Sequence, residues 1–442
     1  MSRAVGMIGG RRPATMAALL RRRNFALLWS GGLISLAGDW LLYVGFPLFV
    51  YQQTGSTLAT GTMLMAGTLP RILLGSVAGV FVDRWDRKRT MIGANLLLAL
   101  GLLPLLLVHS RGGLPIVYVV AFVESALGQF VGPAAGALLP RVVGEDQLAP
   151  ANALGTLSNN LARLGGPALG GVVFTLLGLA GAALLDAASF LIAGALVALV
   201  SIDGAPAHPL IDRSGGAGHN PWVAVWSEWV EGLRIVARER PVFVLFAFIA
   251  ITGIGEGVID TLFVPFATRV LGGSAATYSA LLSTQAVGGL LGSLLLGRVG
   301  SRVAPLRLLG VCGVAFGLID LAMFTYPLFV RGVAPTFALI ALVGVPAAGM
   351  GVAYSTVLQS AGGDAHRGRL FGVFGATTAL AGLLGMALAG ALGDRLGIVP
   401  VLSIQGAGYA LAGALVLAVL RGRVPAATRT AQTGRVRGAH DG

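Results

Sequence analysis

Charge is what this sequence has least of. Only 11% of its 442 residues are Asp, Glu, Lys or Arg, under half the share of about a quarter found in water-soluble domains. A surface so poor in charge is not built to face water on all sides. Cysteine is nearly absent as well. Cys312 stands alone, which excludes a disulfide framework within the chain and any cysteine-built zinc or iron–sulfur centre. Its ordinary role is that of a small apolar residue in a helix. Aromatic residues make up 7%, too few to betray a pocket of stacking platforms. The five histidines fall at 109, 208, 219, 366 and 440, near expected loops or termini, which argues against a histidine metal site inside a membrane. No phosphate-binding G-x-x-x-x-G-K-[ST], no H-E-x-x-H and no G-x-S-x-G occurs, so the chain lacks its own ATPase and the common hydrolase signatures. No enzyme activity, metal or cofactor is expected.

What is present is apolar. Hydrophobic residues make up 55% and mean hydropathy is +0.83. The 67 glycines follow no three-residue period, so they are not collagen's; small residues let lipid-embedded helices approach closely. Apolar runs long enough to span a bilayer, about 20 residues each, recur near 26–51, 58–82, 90–109, 114–139, 151–176 and 179–201. A second set follows near 242–268, 276–297, 304–326, 333–360, 368–392 and 398–420, with the joins at 176–179 and 392–398 the least distinct. The first run is too long for a cleavable signal peptide and contains Asp39. These runs predict an all-α integral membrane protein with twelve transmembrane helices in two pseudo-symmetric six-helix bundles.

The net charge of +13 does not point to nucleic acid, because the basic residues sit in short blocks between apolar runs. Such blocks write membrane topology. One side collects 25 Lys and Arg, including Arg84, Arg87, Lys88 and Arg89; the other holds Arg111, Arg269, Arg331 and Arg395. That bias puts both termini in the cytoplasm, in a bacterial inner membrane. The expected partners are the lipid bilayer, a small-molecule substrate and protons, with no nucleic acid, and the expected assembly is a monomer.

Residues 1–25 read as a basic cytoplasmic N-terminus, 26–201 as the first bundle and 202–240 as a cytoplasmic linker. Within the linker, the pattern from Pro221 to Arg240, with Trp222, Trp226, Val230, Leu233 and Ile235 against charged positions, predicts an amphipathic helix on the membrane surface. Residues 241–420 form the second bundle and 421–442 a polar cytoplasmic tail. A repeat supports two halves. At an offset of 219, Leu161–Gly171 matches Leu380–Gly390 at seven of eleven positions, and Ala193–Val197 matches Ala412–Val416 throughout. Parallel repeats of this kind occur in transporters whose halves rock about a central site.

The stretch Gly79-Val80-Phe81-Val82-Asp83-Arg84-Trp85-Asp86-Arg87-Lys88-Arg89 follows the second run. It resembles the loop motif G-x-x-x-D-R-x-G-R-[KR] of the major facilitator superfamily, with Asp86 in the place of glycine. A degraded copy, Gly297-Arg298-Val299-Gly300-Ser301-Arg302, follows the eighth run. Asn24-Phe25 to Trp29, Gly38-Asp39-Trp40, Leu138–Arg141 and Asn152-Ala153-Leu154 are similar to the secretion-effector branch, which contains enterobactin exporters and macrolide efflux proteins. The resemblance covers roughly residues 21 to 420. It implies a conformational latch at Gly79, Asp83, Arg84, Arg87 and Lys88, with Asp83 meeting helix N-termini and arginines of the other half. Gly166-Pro167-Ala168-Leu169-Gly170-Gly171 resembles the core of a motif associated with antiporters, with Ala162 in place of an upstream glycine. Read without the family, Gly166, Pro167, Gly170 and Gly171 make a bent, close-packing helix face.

Ionisable residues inside a membrane cost several kcal/mol unless paired or wet, so they are functional candidates. Asp39, Arg71, Glu124, Arg163 and Glu256 fall near mid-span. The four in the first half balance in charge, which also suits a structural network, with Asp39 paired to Arg71. The resemblance implies that spans one, four, seven and ten surround the cavity, which sets Asp39, Glu124, Glu256 and Asp260 beside a substrate. Asp186 and Asp320 lie nearer the outer ends of other spans and read as structural. The expected function is export of a small amphipathic molecule (a drug, siderophore or metabolite) by proton antiport. Two alternatives stand beside it: import or lipid movement by the same fold, and a non-transporting scaffold or receptor. A scaffold has no need of acids lining a central cavity.

Overall fold

The computed structural model describes residues 16–202, 204, 221–299, 303–360 and 364–421. Among these no strand occurs. A short turn of helix, Met16–Leu20, precedes twelve helices: α1 Arg23–Thr54, α2 Thr57–Arg84, α3 Arg87–Leu102, α4 Leu114–Val143, α5 Leu148–Ala198, α6 Pro221–Arg238, α7 Arg240–Pro265, α8 Ala275–Val299, α9 Pro305–Thr325, α10 Ala334–Ser360, α11 Asp364–Leu396 and α12 Ile398–Arg421.

Local chemistry sets the ends. α1 stops at Gly55, whose φ of 65° suits a left-handed cap, and Ser56 then caps α2 by accepting from the Ala59 N–H. Asp86 is the N-cap of α3, accepting from the Arg89 N–H at 2.8 Å. That capping role accounts for an Asp in the motif's glycine place.

α5 runs for 51 residues, and a straight helix of that length spans about two and a half bilayers. It does not run straight. Backbone at Gly178 is non-helical, with φ 66° and ψ −165°. Side-chain pairings with α1 show a hairpin. Before Gly178 the contacts ascend together: the Trp29 indole donates to the Leu154 carbonyl, Gly166 meets Trp40 and Phe174 meets Gly45. After it they descend: Leu179 meets Gly45, Asp186 meets Gly38 and Ala193 meets Gly31. The two arms therefore run antiparallel along one helix. At the same offset of 219, Gly397 (φ 92°) separates α11 from α12. Both indistinct joins in the sequence are single glycines with positive φ, a conformation other residues resist.

By length and composition, ten helices among the described residues can cross a membrane, or eleven with α2, which bends by 55° between Gly75 and Val77. The two arms of α5 are each roughly as long as a bilayer is thick. Outward faces carry leucines such as Leu97, Leu107, Leu176 and Leu294, all more than half exposed, as a lipid-facing surface requires. Interior contacts fall to small residues. A Cβ at Gly313 would lie 3.2 Å from the Gly413 Cα, between α9 and α12, and one at Gly292 would lie 2.6 Å from the Val345 Cα, between α8 and α10.

The first five helices pack with one another, α1 on α5, α2 on α4 and α3 on both α4 and α5; α7 to α12 form a second set. The sets meet along α2 with α11 and along α5 with α8. The named contacts gather at the end carrying Gly55 and Gly397, here the far end. Gly390 lies against Thr57 and Leu58, and Gly171 lies against Ser279 and Ala275. At the opposite, linker end, α6 forms where the amphipathic pattern predicts a helix. It docks on α11: Arg369 and Glu231 form an ion pair at 2.7 Å, and Gly232 seats against Val373. It is thus braced by protein.

Candidate functional site

Helices α1, α2, α4 and α5 line an open cavity of about 800 Å³. Asp39, Arg71, Glu124 and Arg163 all line it, with Trp40, Tyr43 and Gln129 beside them. Asp39 and Glu124 are half-buried, whereas Arg71 and Arg163 expose their side chains to the cavity. Four ionisable residues scattered over more than a hundred positions of sequence thus share one wall-to-wall space.

The second half supplies two more acids. Glu256 and Asp260 stand one turn apart on α7, both solvent-accessible. The Tyr409 hydroxyl of α12 donates a hydrogen bond to Glu256 Oε1. Tyr409 is held in turn by Phe316, with ring centroids 4.3 Å apart. The cavity residue Tyr43 lies within electrostatic reach of both acids.

The pairing of charges differs from the expected one. Asp39 and Arg71 form no ion pair among the described residues. Arg71 lies near enough to Asp260, and Arg163 to Glu256, for their charges to be felt across the boundary between the helix sets. Asp39 and Glu124, both on the cavity wall, likewise feel each other's charge. Asp186, expected to be structural, joins them: one carboxylate oxygen from each of the three lies within 4.8 Å of the others. Its depth along the span pointed elsewhere, but depth does not fix direction around the helix axis. The available signal was Gly38, directly before Asp39, whose missing side chain lets Asp186 and Ser189 approach. Asp320 is also fully buried, with Oδ2 unpaired.

The loop at Gly79 to Arg89 ties to its own half. The Lys88 Nζ donates to the Val200 carbonyl at 2.7 Å and the Arg87 N–H to the Gly204 carbonyl at 3.0 Å, just past α5. Trp85 stacks on Phe130. Gly79 has open space around it, Arg84 closes α2, and Asp83 is exposed and makes no hydrogen bond or ion pair among the described residues. The expected reach of Asp83 to the other half is not made in this conformation, in which the named contacts between the sets gather at the far end. Residues 300–302 of the degraded copy lie outside the described residues, as do 1–15, 205–220 and 422–442.

The glycine motif on α5 serves packing on two sides. Gly166 and Gly170 receive Trp40 and Val44 of α1, and Gly171 receives Ser279 of α8. Pro167 keeps helical backbone, and the sharp change of direction falls further on, at Gly178. Sequence reasoning missed Thr57 and Asp394. Asp394 of α11 accepts from the Ser56 hydroxyl at 2.8 Å and from the Thr57 N–H at 3.0 Å, closing the far end.

Two helix sets meeting at one end through small residues, with a charged cavity in the first set, have the architecture of a major facilitator transporter. Solved structures agree in fold. A point mutant of the nucleoside transporter NupG superposes with a TM-score of 0.72 at 12% identity, over 89% of this chain and 99% of that one. A bacterial homologue of the iron transporter ferroportin, in its inward-facing state, gives 0.71 at 17% identity, over 90% and 98%. The transmembrane secretion effector family matches residues 14–437, and the chain belongs to that family of major facilitator transporters. Its relatives include the multidrug efflux pump Tap of Mycolicibacterium fortuitum, 30% identical and aligned over 86% of this chain and 91% of that one. Macrolide efflux protein A of Streptococcus pyogenes is 26% identical, over 85% and 90%. The family consists of transporters, and enzymes are not among these relatives.

Proposed function

We propose that this protein exports a small amphipathic molecule from the cytoplasm in exchange for protons. The observation that carries this reading is the cavity of about 800 Å³ with charged walls, a size suited to a drug-sized ligand. Names of the relatives, efflux pumps for macrolides and for several drugs, support the outward direction. Acids and arginines facing the same space count against a scaffold, which has no use for them.

The proton path is assigned to Glu256. Its carboxylate is accessible, receives the Tyr409 hydroxyl and lies within reach of the charge of Arg163 in the other half. A carboxylate in a cavity that opens by turns to each side releases its proton inside and reloads outside, where pH is lower. When it is ionised, it pairs with Arg163 or with a polar group of the substrate. When it is protonated, it lets both go. Loading of one ligand then expels the other, as antiport demands.

The experiment is efflux from proteoliposomes under an imposed pH gradient, with a macrolide and a panel of amphipathic dyes as probes. Uphill movement driven by the gradient supports the reading. Movement of no probe, or movement indifferent to the gradient, overturns export or proton coupling respectively.

A further inference from the structure

Asp186 takes no part in the reading above, although it is fully buried. Its Oδ1 accepts the Ser189 hydroxyl at 3.1 Å, while Oδ2 is buried with no hydrogen-bond partner. Buried carboxylate oxygens are rarely left so, because the desolvation cost goes unanswered. The Ser125 hydroxyl, next to Glu124 on the cavity wall, is likewise buried and unpartnered. Asp39 of α1, Glu124 of α4 and Asp186 of α5 each bring an oxygen within 4.8 Å of the other two. Gly38 makes this possible, since a Cβ there would fall on Asp186 Oδ1 and Ser189 Oγ. The nearby cations do not neutralise the group: neither Arg71 nor Arg163 forms an ion pair with it among the described residues.

We propose that Asp39, Glu124 and Asp186 bind a hard divalent cation, Ca²⁺ or Mn²⁺ in kind, which enters from the cavity. Three carboxylates this close repel one another, and a divalent ion among them removes the repulsion while giving Asp186 Oδ2 its partner. The donors are all oxygen, with no imidazole or thiolate, a set that suits Ca²⁺, Mn²⁺ or Mg²⁺ and disfavours copper and zinc. Mg²⁺ demands near-octahedral geometry and keeps its water, whereas Ca²⁺ accepts irregular shells completed by hydroxyls and water. Cavity water supplies that completion here. Three helices then share one ion, so the site also pins α1, α4 and α5 together. It lies in the opposite half from Glu256, and different variants test the two.

The test uses the full chain, purified in detergent, stripped with chelator and titrated with Mn²⁺ while paramagnetic resonance follows the free ion. One Mn²⁺ bound per chain, displaced by Ca²⁺, is expected. Asp186→Asn and Glu124→Gln each weaken it at least about tenfold, and Glu256→Gln leaves it unchanged. Should Asp186→Asn fail to fold, Glu124→Gln on the cavity wall decides. No binding by wild type up to millimolar Mn²⁺, or binding that survives Glu124→Gln, overturns the site and leaves the three acids to shared protons.

Discussion

The Asp394 carboxylate on α11 accepts the backbone N–H of Thr57, the first residue of α2, at 3.0 Å. A second bond, from the Ser56 hydroxyl, places the other oxygen. An acid from one helix set thus caps a helix of the other, where the partial positive charge of the helix N-terminus adds to the hydrogen bonds.

Asp394→Ala should therefore loosen the far end. Loss of a capping carboxylate costs about 0.5–2 kcal/mol, enough to shift two conformations by about twofold to thirtyfold. Spin labels at Ser110 and Ser274, both exposed at that end, should show a longer distance population in the mutant. An unchanged distance distribution would show that the cap does not hold the closure.

A side chain at Gly171 should interfere with the same closure. Its Cβ would overlap Ser279 of α8, and closely packed backbone cannot yield cheaply. Gly171→Val is expected to abolish transport with insertion intact, whereas Gly289→Ala, with open space around it, should transport normally. Equal activity of the two variants would remove the seam's role.

Glu256→Gln should uncouple transport from the pH gradient. The amide keeps size and packing and removes only the titrating proton. Tyr409→Phe removes the hydroxyl that Glu256 accepts and should slow transport by about tenfold or more, the worth of one hydrogen bond to a charged group. Gradient-driven efflux that persists in Glu256→Gln moves the proton site elsewhere.

At the linker end, Asp83→Asn should slow transport while changing stability by less than about 0.5 kcal/mol, because Asp83 has no partner in the described conformation. A latch made only in the alternate state affects rate and not this state's stability. Thermal melts together with initial transport rates would test it. A large drop in melting temperature would mean that Asp83 is structural after all.

Topology is open to the same directness. With Lys and Arg divided 25 to 4 between the two sides, reporters fused after residues 210 and 425 should both read cytoplasmic. A periplasmic signal at either fusion would overturn the reading.

The helices were legible because apolar length alone marks them, and their joins because Gly178 and Gly397 are punctuation. The offset of 219 carries further than text similarity suggests. It pairs Gly171 with Gly390, and these glycines make corresponding contacts, each on the opposite set's helix at the far end. It also pairs Asp186 with Gln405, which sits against Gly255 as Asp186 sits against Gly38. What the sequence hid was direction around each helix. Asp39 and Arg71 share a depth, which suggested a pair, yet they form no ion pair among the described residues. Asp394 looked like the end of a span, because a cap supplied from another helix has no local pattern.

The grip of both α5 arms on α1 also sets a timetable for synthesis. The Trp29–Leu154 contact joins residues 125 apart, which at about 5–20 residues per second is a delay of roughly 6 to 25 s. Throughout that interval α1 sits in the bilayer without the helix that buries one side of it. It carries Asp39 meanwhile, an acid costing about 2.5–3.5 kcal/mol at mid-membrane. Its neighbours through residue 50, among them Leu42, Val44, Leu48 and Val50, are apolar enough to keep it inserted. The strongly hydrophobic second half of α1 is thus what holds a charged helix in place until its partners are made.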